Sequence, residues 1–570
     1  MLVMRSNTYA TLWIALVFAA ALFSQCCLFH YFSQGMSVLS CFEHPQRIVS
    51  VYLQKVAISI FIASFVFLFR RKYWVIWFLV VHAIWILTEC VYLQAFDGML
   101  IDAYGASMAS NLEGFTDSIS IYLHSQYLWL LLPIVLLGIT IYCFDNRQNL
   151  RWTPLGVSIL IAMLLDTAHS AFISSRYKNE SLVDIPIWKI WNPITSDLIE
   201  TSTLTYTYYY SSIHAFFRVG YEMMVNTEKP VDIEELTKEM QPFVRPMAQN
   251  PAPQNKLVIF LVESLENWAI LPEITPNICQ YMDTHKVLYA ERIKKQTKKG
   301  GSMDGQLLVN TGILPLKNGA SCFRFPHNKY PSISELYSNA AILVPGGPSV
   351  WNQIWVSKAC SIDTNYTVPF NDADIFWKYA DVMNEHDYVM ILTSSSHSPF
   401  RAYADSSNIE LPDSMPELMR NYLKTINFMD RYLGYALQKI EESAKLRDAV
   451  VVITGDHTIF SENYRKEFDE YCQVSGDCRY KVNEAYCPLI IGGIEKSIYI
   501  TEEVYQMDIY PTILHAIGCE SFYWKGWGVN LLDSAACANR SIQEDDAYVM
   551  ADKVIRSNWF EVYENGESQK

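Results

Sequence analysis

Four short stretches place metal-binding, nucleophilic and proton-transferring residue types directly after apolar runs or glycines. Leu257-Val258-Ile259-Phe260-Leu261-Val262 ends on Glu263, and Val450-Val451-Val452-Ile453-Thr454-Gly455 ends on Asp456-His457. Carboxylate oxygens with an imidazole nitrogen suit a hard or borderline divalent ion such as Mn²⁺, Zn²⁺ or Mg²⁺. An Asp-His pair can also simply cap the next helix; a second strand ending on Glu263 favours the metal. In Lys298-Lys299-Gly300-Gly301-Ser302-Met303-Asp304-Gly305 two glycines allow a sharp turn that presents the serine hydroxyl at a helix N-terminus. Metal coordination there would lower the hydroxyl pKa and make Ser302 a nucleophile, and a plain N-cap is the alternative. Ser394-Ser395-Ser396-His397-Ser398-Pro399-Phe400 follows a further apolar run. Its imidazole is placed to stabilise a transferring group or protonate a leaving group, or is an ordinary loop histidine.

The elements that must position these residues alternate. Apolar runs at Leu257–Val262, Ala341–Val344, Tyr388–Thr393, Ala449–Thr454 and Pro488–Ile491 are separated by helical patterns such as Asn421–Ala444. Such alternation predicts a mostly parallel sheet sandwiched by helices. Ligands of open sheets in that class gather beyond the carboxyl ends of the strands, where Glu263, His397 and Asp456-His457 stand.

Ahead of this region the composition changes. The chain is 51% hydrophobic overall, and nearly all the excess precedes about residue 175. Thr11–Phe32, Val51–Phe69, Tyr73–Leu93, Tyr127–Cys143 and Leu155–Ile173 each approach the roughly 20 residues that cross a bilayer core. Lys55 lies near an end of the second run and is expected to reach the headgroups. Arg70-Arg71-Lys72 joins runs two and three, and Arg147 and Arg151 separate runs four and five. Between runs three and four stand Asp97, Asp102, Glu113 and Asp117 without Lys or Arg. Basic turns in the cytoplasm put the N-terminus inside and everything after about Arg176 outside. The chain thus divides into five transmembrane spans (1–175), an interfacial connector with helices (176–255) and an extracytoplasmic catalytic domain (256–570). In the connector, Tyr206-Thr207-Tyr208-Tyr209-Tyr210 suits a membrane interface or a packed strand, and 232–247 reads as helix. Glu89, Asp166 and His169 fall inside spans, where an ionisable group marks either lipid head-group contact or helix packing.

A net charge of −15 excludes a nucleic-acid partner, since no basic stripe is available for phosphate backbones. Eight cysteines lie in 256–570, and an oxidising compartment permits disulfides, with Cys472 and Cys478 close enough to close a small loop. Asn-x-Ser/Thr triplets begin at Asn179, Asn365 and Asn539; triplets of this kind arise by chance and are given no role.

The whole plan resembles the lipoteichoic acid synthase-like members of the alkaline phosphatase/sulfatase superfamily. The resemblance rests on Glu263-Ser264-Leu265-Glu266, Gly301-Ser302-Met303-Asp304, His397-Ser398-Pro399-Phe400, Gly455-Asp456-His457 and Gln506-Met507-Asp508-Ile509-Tyr510-Pro511-Thr512-Ile513-Leu514, in that order. It implies a divalent metal, Mn²⁺ foremost, bound by Glu263, Asp456, His457 and the Ser302 oxygen. It also implies a covalent Ser302 intermediate, with His397 assisting. The donor would be a membrane phospholipid and the acceptor a cell-envelope glycan or lipid, at a bacterial cytoplasmic membrane. Two positions depart from the family. Serine replaces threonine at 302, and Trp351-Asn352-Gln353 replaces Trp-Asn-Arg in the head-group pocket. Gln353 can hydrogen-bond a glycerol or phosphate but lacks the charged fork of arginine. Trp351, Gln353 and His397 are the expected substrate contacts. Phosphoglycerol transfer is the leading expectation, ahead of phosphoethanolamine transfer and of hydrolysis. Formylglycine sulfatase chemistry is disfavoured, because Asp304 and Gln306 stand where Pro and Arg are needed.

Overall fold

The computed structural model describes residues 7–33, 52–69, 71–95, 122–144, 152–176, 212–224, 230–246, 250–317, 319–477, 479–533 and 540–567, with the single residues 38, 101 and 104. Arg70, Arg147 and Arg151, the four acidic residues between runs three and four, Tyr206–Tyr210, Asn179, Asn539, Cys478, Cys537 and the Trp351 side chain lie outside the described residues. Among the described residues, contacts separate one unit up to residue 228 from another beyond it.

In the first unit, helices span Asn7–Ser33, Leu53–Ser64, Trp74–Ala95, Leu131–Phe144 and Trp152–Arg176. Among the described residues, four segments are long and apolar enough to cross a membrane: Tyr9–Ser33, Trp74–Ala95, Ser125–Phe144 and Trp152–His169. The second apolar run is shorter than expected, because its α-helix ends at Ser64 and tightens into a 3₁₀ turn at Phe65–Phe67. Lys55 is also placed differently. It is fully buried among the helices rather than extended toward headgroups. Glu89, Asp166 and His169 are buried as well, and Glu89 accepts a hydrogen bond from the backbone N–H of Ile101 at 3.2 Å.

The second unit is an α/β domain. Its strands are β1 (Leu257–Val262), β2 (Val287–Lys294), β3 (Ala340–Pro345), β4 (Thr364–Val368), β5 (Tyr388–Leu392), β6 (Val450–Gly455), β7 (Tyr486–Gly492), β8 (Ile498–Ile500) and β9 (Val504–Tyr505). They run in the order β4-β3-β5-β1-β6-β7-β2-β8, with β9 also on β2. β4, β3, β5, β1 and β6 are mutually parallel, and β7 is antiparallel to both neighbours. This is the expected mostly parallel sheet sandwiched by helices.

Strand alternation builds two apolar layers. Leu257, Ile259 and Leu261 face one core, with Leu307 and Leu308 from the helix Ser302–Thr311. Val258, Phe260 and Val262 face the other, with Leu423, Ile426 and Leu433 from the helix Glu417–Glu442. Both faces of β1 are therefore covered, which explains an unbroken apolar run with no polar alternation. The helix expected over 232–247 ends at Met240, where Pro242 permits only a 3₁₀ turn, Gln241–Phe243. Cys279, Cys322, Cys360, Cys487 and Cys519 are free thiols, so the disulfides that the compartment would permit are not formed among them.

Candidate metal and nucleophile site

The register of the central strands brings the chemistry together. β1 and β6 pair in parallel with Val262 opposite Gly455, so Glu263 and Asp456 leave the sheet side by side. β5 lies on the other side of β1, with Leu392 opposite Leu261, and its loop carries His397. Three adjacent strands thus deliver three loops to one edge, as parallel sheets do.

Ser302 arrives on a fourth segment. It opens the helix Ser302–Thr311, behind Gly301 at φ +53°, a conformation that glycine adopts without steric cost. The turn is fastened by Asp304, whose Oδ2 accepts the N–H of Lys298 and of Gly300, each at 2.9 Å. Gly305 is needed for proximity. A Cβ there would stand 2.9 Å from the backbone oxygen of Asp456, so any side chain would push the helix away from the metal-competent loop.

Glu263, Asp456 and His457 offer ligand atoms that all lie within 4.8 Å of one another. Ser302 Oγ donates to Glu263 Oε2 at 3.0 Å and lies 3.4 Å from His457 Nε2. His457 Nε2 is 3.8 Å from Glu263 Oε1 and 3.7 Å from Asp456 Oδ2. Asp456 Oδ1 accepts the N–H of Ser264 at 2.8 Å and of His457 at 2.7 Å. That arrangement orients Oδ2 toward the imidazole. Ser264 holds φ +56°, strained for a residue with a Cβ, and its Oγ donates to Glu263 Oε1 at 2.6 Å.

Burial and then the facing Glu263 carboxylate push Asp456 upward. Burial also opposes ionisation of Glu263, but His397, His457 and hydrogen bonds from Ser264 and Ser302 outweigh it and leave Glu263 lowered. Burial works against a charged His457, yet Asp456 and Glu263 raise it. Two buried carboxylates and an imidazole facing one point fit a small divalent cation, which would satisfy both acidic groups at once.

Several supporting residues carry no obvious sequence signal. Thr393 Oγ1 accepts the Glu263 N–H at 2.9 Å, and Ser396 Oγ donates to the Glu263 carbonyl at 2.6 Å. Asp372 accepts the N–H groups of Ser394 at 2.8 Å and Ser395 at 3.2 Å, fixing the loop that carries His397. Gln506, inside one of the quoted motifs, donates to the Asp456 carbonyl at 2.8 Å and accepts from the N–H of Gln296 at 2.6 Å. His397 Nδ1 lies 2.8 Å from the Ser398 carbonyl oxygen, which makes Nδ1–H the donor of that bond. Gln353 is buried and forms a reciprocal amide pair with Gln306, at 3.1 and 2.6 Å. Gln306 lies one turn beyond Ser302 on the same helix, so the amide pair stands beside the helix that Ser302 opens.

A sulfatase-family model matches residues 352–519. The chain is 22% identical over 269 residues to lipoteichoic acid synthase of Staphylococcus saprophyticus, covering 43% of this chain and 41% of that one. It is 22% identical over 293 residues to lipoteichoic acid synthase-like YvgJ of Bacillus subtilis, covering 46% and 48%. The chain spans about half the length of the curated relatives it matches. In fold it is similar to the integral membrane protein lipooligosaccharide phosphoethanolamine transferase A of Neisseria meningitidis, at 12% identity and a TM-score of 0.50. That match covers 88% of this chain and 95% of the other.

Proposed function

We propose that this chain, a lipoteichoic acid synthase-like member of the alkaline phosphatase/sulfatase superfamily, transfers a phosphorylated head group from a membrane phospholipid to a cell-envelope glycan or lipid. Phosphoglycerol is the head group we favour. The observation that carries this reading is the meeting of Ser302 with Glu263, Asp456 and His457 at the ends of adjacent strands, in a chain that also bears apolar helices of membrane-crossing length.

Ser302 would act as nucleophile. In the resting arrangement its hydroxyl proton points at Glu263 Oε2, which holds the oxygen lone pairs free for attack on phosphorus. Glu263, Asp456, His457 and Ser302 Oγ would hold a divalent ion, Mn²⁺ in our reading, which would supply positive charge to acidify the hydroxyl and offset phosphoryl charge. The new bond is Oγ–P, the Oγ proton passes to Glu263 Oε2, to which it already bonds, and the P–O bond to diacylglycerol breaks. His397 Nε2 provides the proton for that leaving oxygen. In the second half an acceptor hydroxyl attacks the same phosphorus and gives its proton to His397 Nε2, the Oγ–P bond breaks, and Glu263 returns the proton to Ser302 Oγ. Phosphoryl transfer depends chiefly on such positioning and charge neutralisation.

We place the Ser302 site outside the cytoplasm, with the N-terminus inside, and divide the chain as 1–175, 176–255 and 256–570. Trp351 and Gln353 are proposed head-group contacts, and Gln353 would exchange its Gln306 partner for the substrate. A neutral amide at that position is equally compatible with phosphoethanolamine, which is the second reading. The test incubates purified protein with Mn²⁺ and phospholipids labelled in the glycerol or ethanolamine head group, followed by mass spectrometry of the Ser302 peptide. A phosphoglycerol adduct is expected. A phosphoethanolamine adduct selects the second reading, and release of head group to water without acceptor transfer selects a hydrolase. No adduct and no release with any donor or metal sinks the proposal.

A further inference from the structure

Three residues beyond Glu263, the same loop carries a second carboxylate with a different fate. Glu266 is fully buried and lies in the fork of Arg465, with Nη1 donating to Oε2 at 2.9 Å and Nη2 to Oε1 at 2.8 Å. The carboxylate also accepts the backbone N–H of Ile459 at 2.8 Å, on Oε1, and the indole N–H of Trp268 at 2.6 Å, on Oε2. Ile459 stands three residues beyond Asp456, as Glu266 stands three beyond Glu263. One side chain therefore bridges the two loops that bear the metal-competent ligands. Arg465 extends the bridge. Its Nε donates to the carbonyl of Phe460 at 3.1 Å and its Nη1 to that of Val482 at 2.7 Å.

Around the pair is an aromatic box to which each of the three site loops contributes one ring. Trp268 follows β1, Phe400 follows β5 and Phe460 follows β6; Tyr422 of the helix Glu417–Glu442 closes it. Tyr422 and Phe460 centroids are 5.0 Å apart, Phe400 and Tyr422 5.2 Å, and Trp268 and Tyr422 5.1 Å. Tyr422 Oη accepts the Glu266 N–H and donates to the Ser264 carbonyl, both at 3.0 Å, and Ser264 is the strained residue that bonds Asp456. Within this water-excluded box the ion pair is geometrically exacting, since bidentate contact fixes both angle and distance.

We propose that Glu266–Arg465 is a positioning pair that sets Asp456 and His457 against Glu263, and so tunes metal affinity without touching metal or substrate. β1 and β6 pair only as far as Val262 and Gly455, and the ligands lie just past that limit. There the spacing of the loops is held by the Asp456 N–H to the Val262 carbonyl at 3.1 Å, by Ser264, and by this bridge. Outer residues that orient ligands in this way are typically worth about 10- to 100-fold in metal affinity.

The inference rests on the metal reading given above, and the experiment separates the two. Full-length protein in detergent is titrated with Mn²⁺ by calorimetry, as wild type, E266Q, R465K, R465M and the double variant E266M/R465M. Folding is followed by circular dichroism, and the exchange of the Ile459 and Phe460 amides by mass spectrometry. The single variants are expected to weaken Mn²⁺ binding about 10- to 100-fold, R465K least, and to speed exchange at 459–460 before metal is added. The double variant removes both charges together, which cores commonly tolerate, and is expected to stay folded with the same loss of affinity. Any folded variant lacking the bidentate pair that binds Mn²⁺ like wild type overturns the proposal. So does failure of all four to fold, because the pair would then determine the fold rather than the site. If wild type itself takes up no divalent ion, the functional reading falls instead.

Discussion

Two kinds of buried carboxylate sit near one another at this sheet edge. Asp508 and Glu266 each lie in an arginine fork: Arg540 meets Asp508 with two bonds of 2.7 Å, and Arg465 meets Glu266 at 2.8 and 2.9 Å. Glu263 and Asp456 instead face each other and the His457 imidazole. At Asp508 and Glu266 the fold supplies a guanidinium and closes the charge, whereas the buried Asp304 and Asp372 are held by backbone N–H groups. At Glu263 and Asp456 the fold brings two acids together, and burial with mutual repulsion raises Asp456. Two buried acids facing each other in this way are costly unless a cation joins them, and that contrast supports the functional reading.

The sharpest way to break the comparison is to take apart the centre at Ser302 and Asp456. Ser302→Ala should abolish the covalent adduct and lower transfer by at least ~10³-fold, the scale of losing a group that acts in the transition state. Asp456→Asn should lose Mn²⁺ binding and transfer together while circular dichroism remains that of wild type. Adduct on the Ser302→Ala protein at the wild-type rate would refute the nucleophile assignment. At the Asp508–Arg540 pair the same kind of deletion should act on the fold. Arg540→Met leaves Asp508 fully buried with its fork gone, which is expected to cost about 3–5 kcal/mol of stability. Denaturant titration measures it, and the double variant D508L/R540M should recover part of the loss. A third measurement joins the two. Mn²⁺ at about a hundred times its Kd should stabilise wild type by about 2.7 kcal/mol through mass action. It should leave Asp456→Asn unmoved, and chelation should reverse the gain.

Much of this arrangement was legible in the sequence, and what was missed follows a pattern. β1 was read to the residue, and β5, β6 and β7 nearly so, because strands covered on both faces are continuous apolar runs. β2 (Val287–Lys294) escaped because Glu291, Arg292 and Lys294 interrupt its apolar character, and β4 escaped as a polar edge strand, Thr-Asn-Tyr-Thr-Val. Glu263, Ser302, Asp456 and His457 were legible because each follows a strand or a glycine turn. Their meeting was not, since it depends on the β1–β6 register and on the approach of Gly305 to the Asp456 backbone. Glu266 and Asp508 stood inside quoted motifs, yet their arginines are 199 and 32 residues away, and no local pattern announces a partner at such a distance. Lys55 was misread for a related reason. Position near the end of an apolar run does not say which face of the helix packs inward.

The smallest expected effect closes the comparison from the exposed side. Lys378 pairs with Asp374 one helical turn earlier at 2.9 Å, a distance close to those in the Arg540–Asp508 fork. By contact length alone the two pairs look alike. They differ in surroundings, since the Lys378 side chain is 60% exposed and that of Asp508 is fully buried. Water already solvates both charges of the surface pair, and ordering a lysine costs rotamer entropy, so such pairs contribute about 0.3–0.5 kcal/mol. Lys378→Ala should therefore shift the denaturant midpoint barely beyond measurement and leave Mn²⁺ affinity unchanged. A loss approaching that of Arg540→Met would mean that ion-pair geometry, rather than burial, sets the energies in this domain. The distinction drawn between the facing acids and the fork-held carboxylates would then lose its basis.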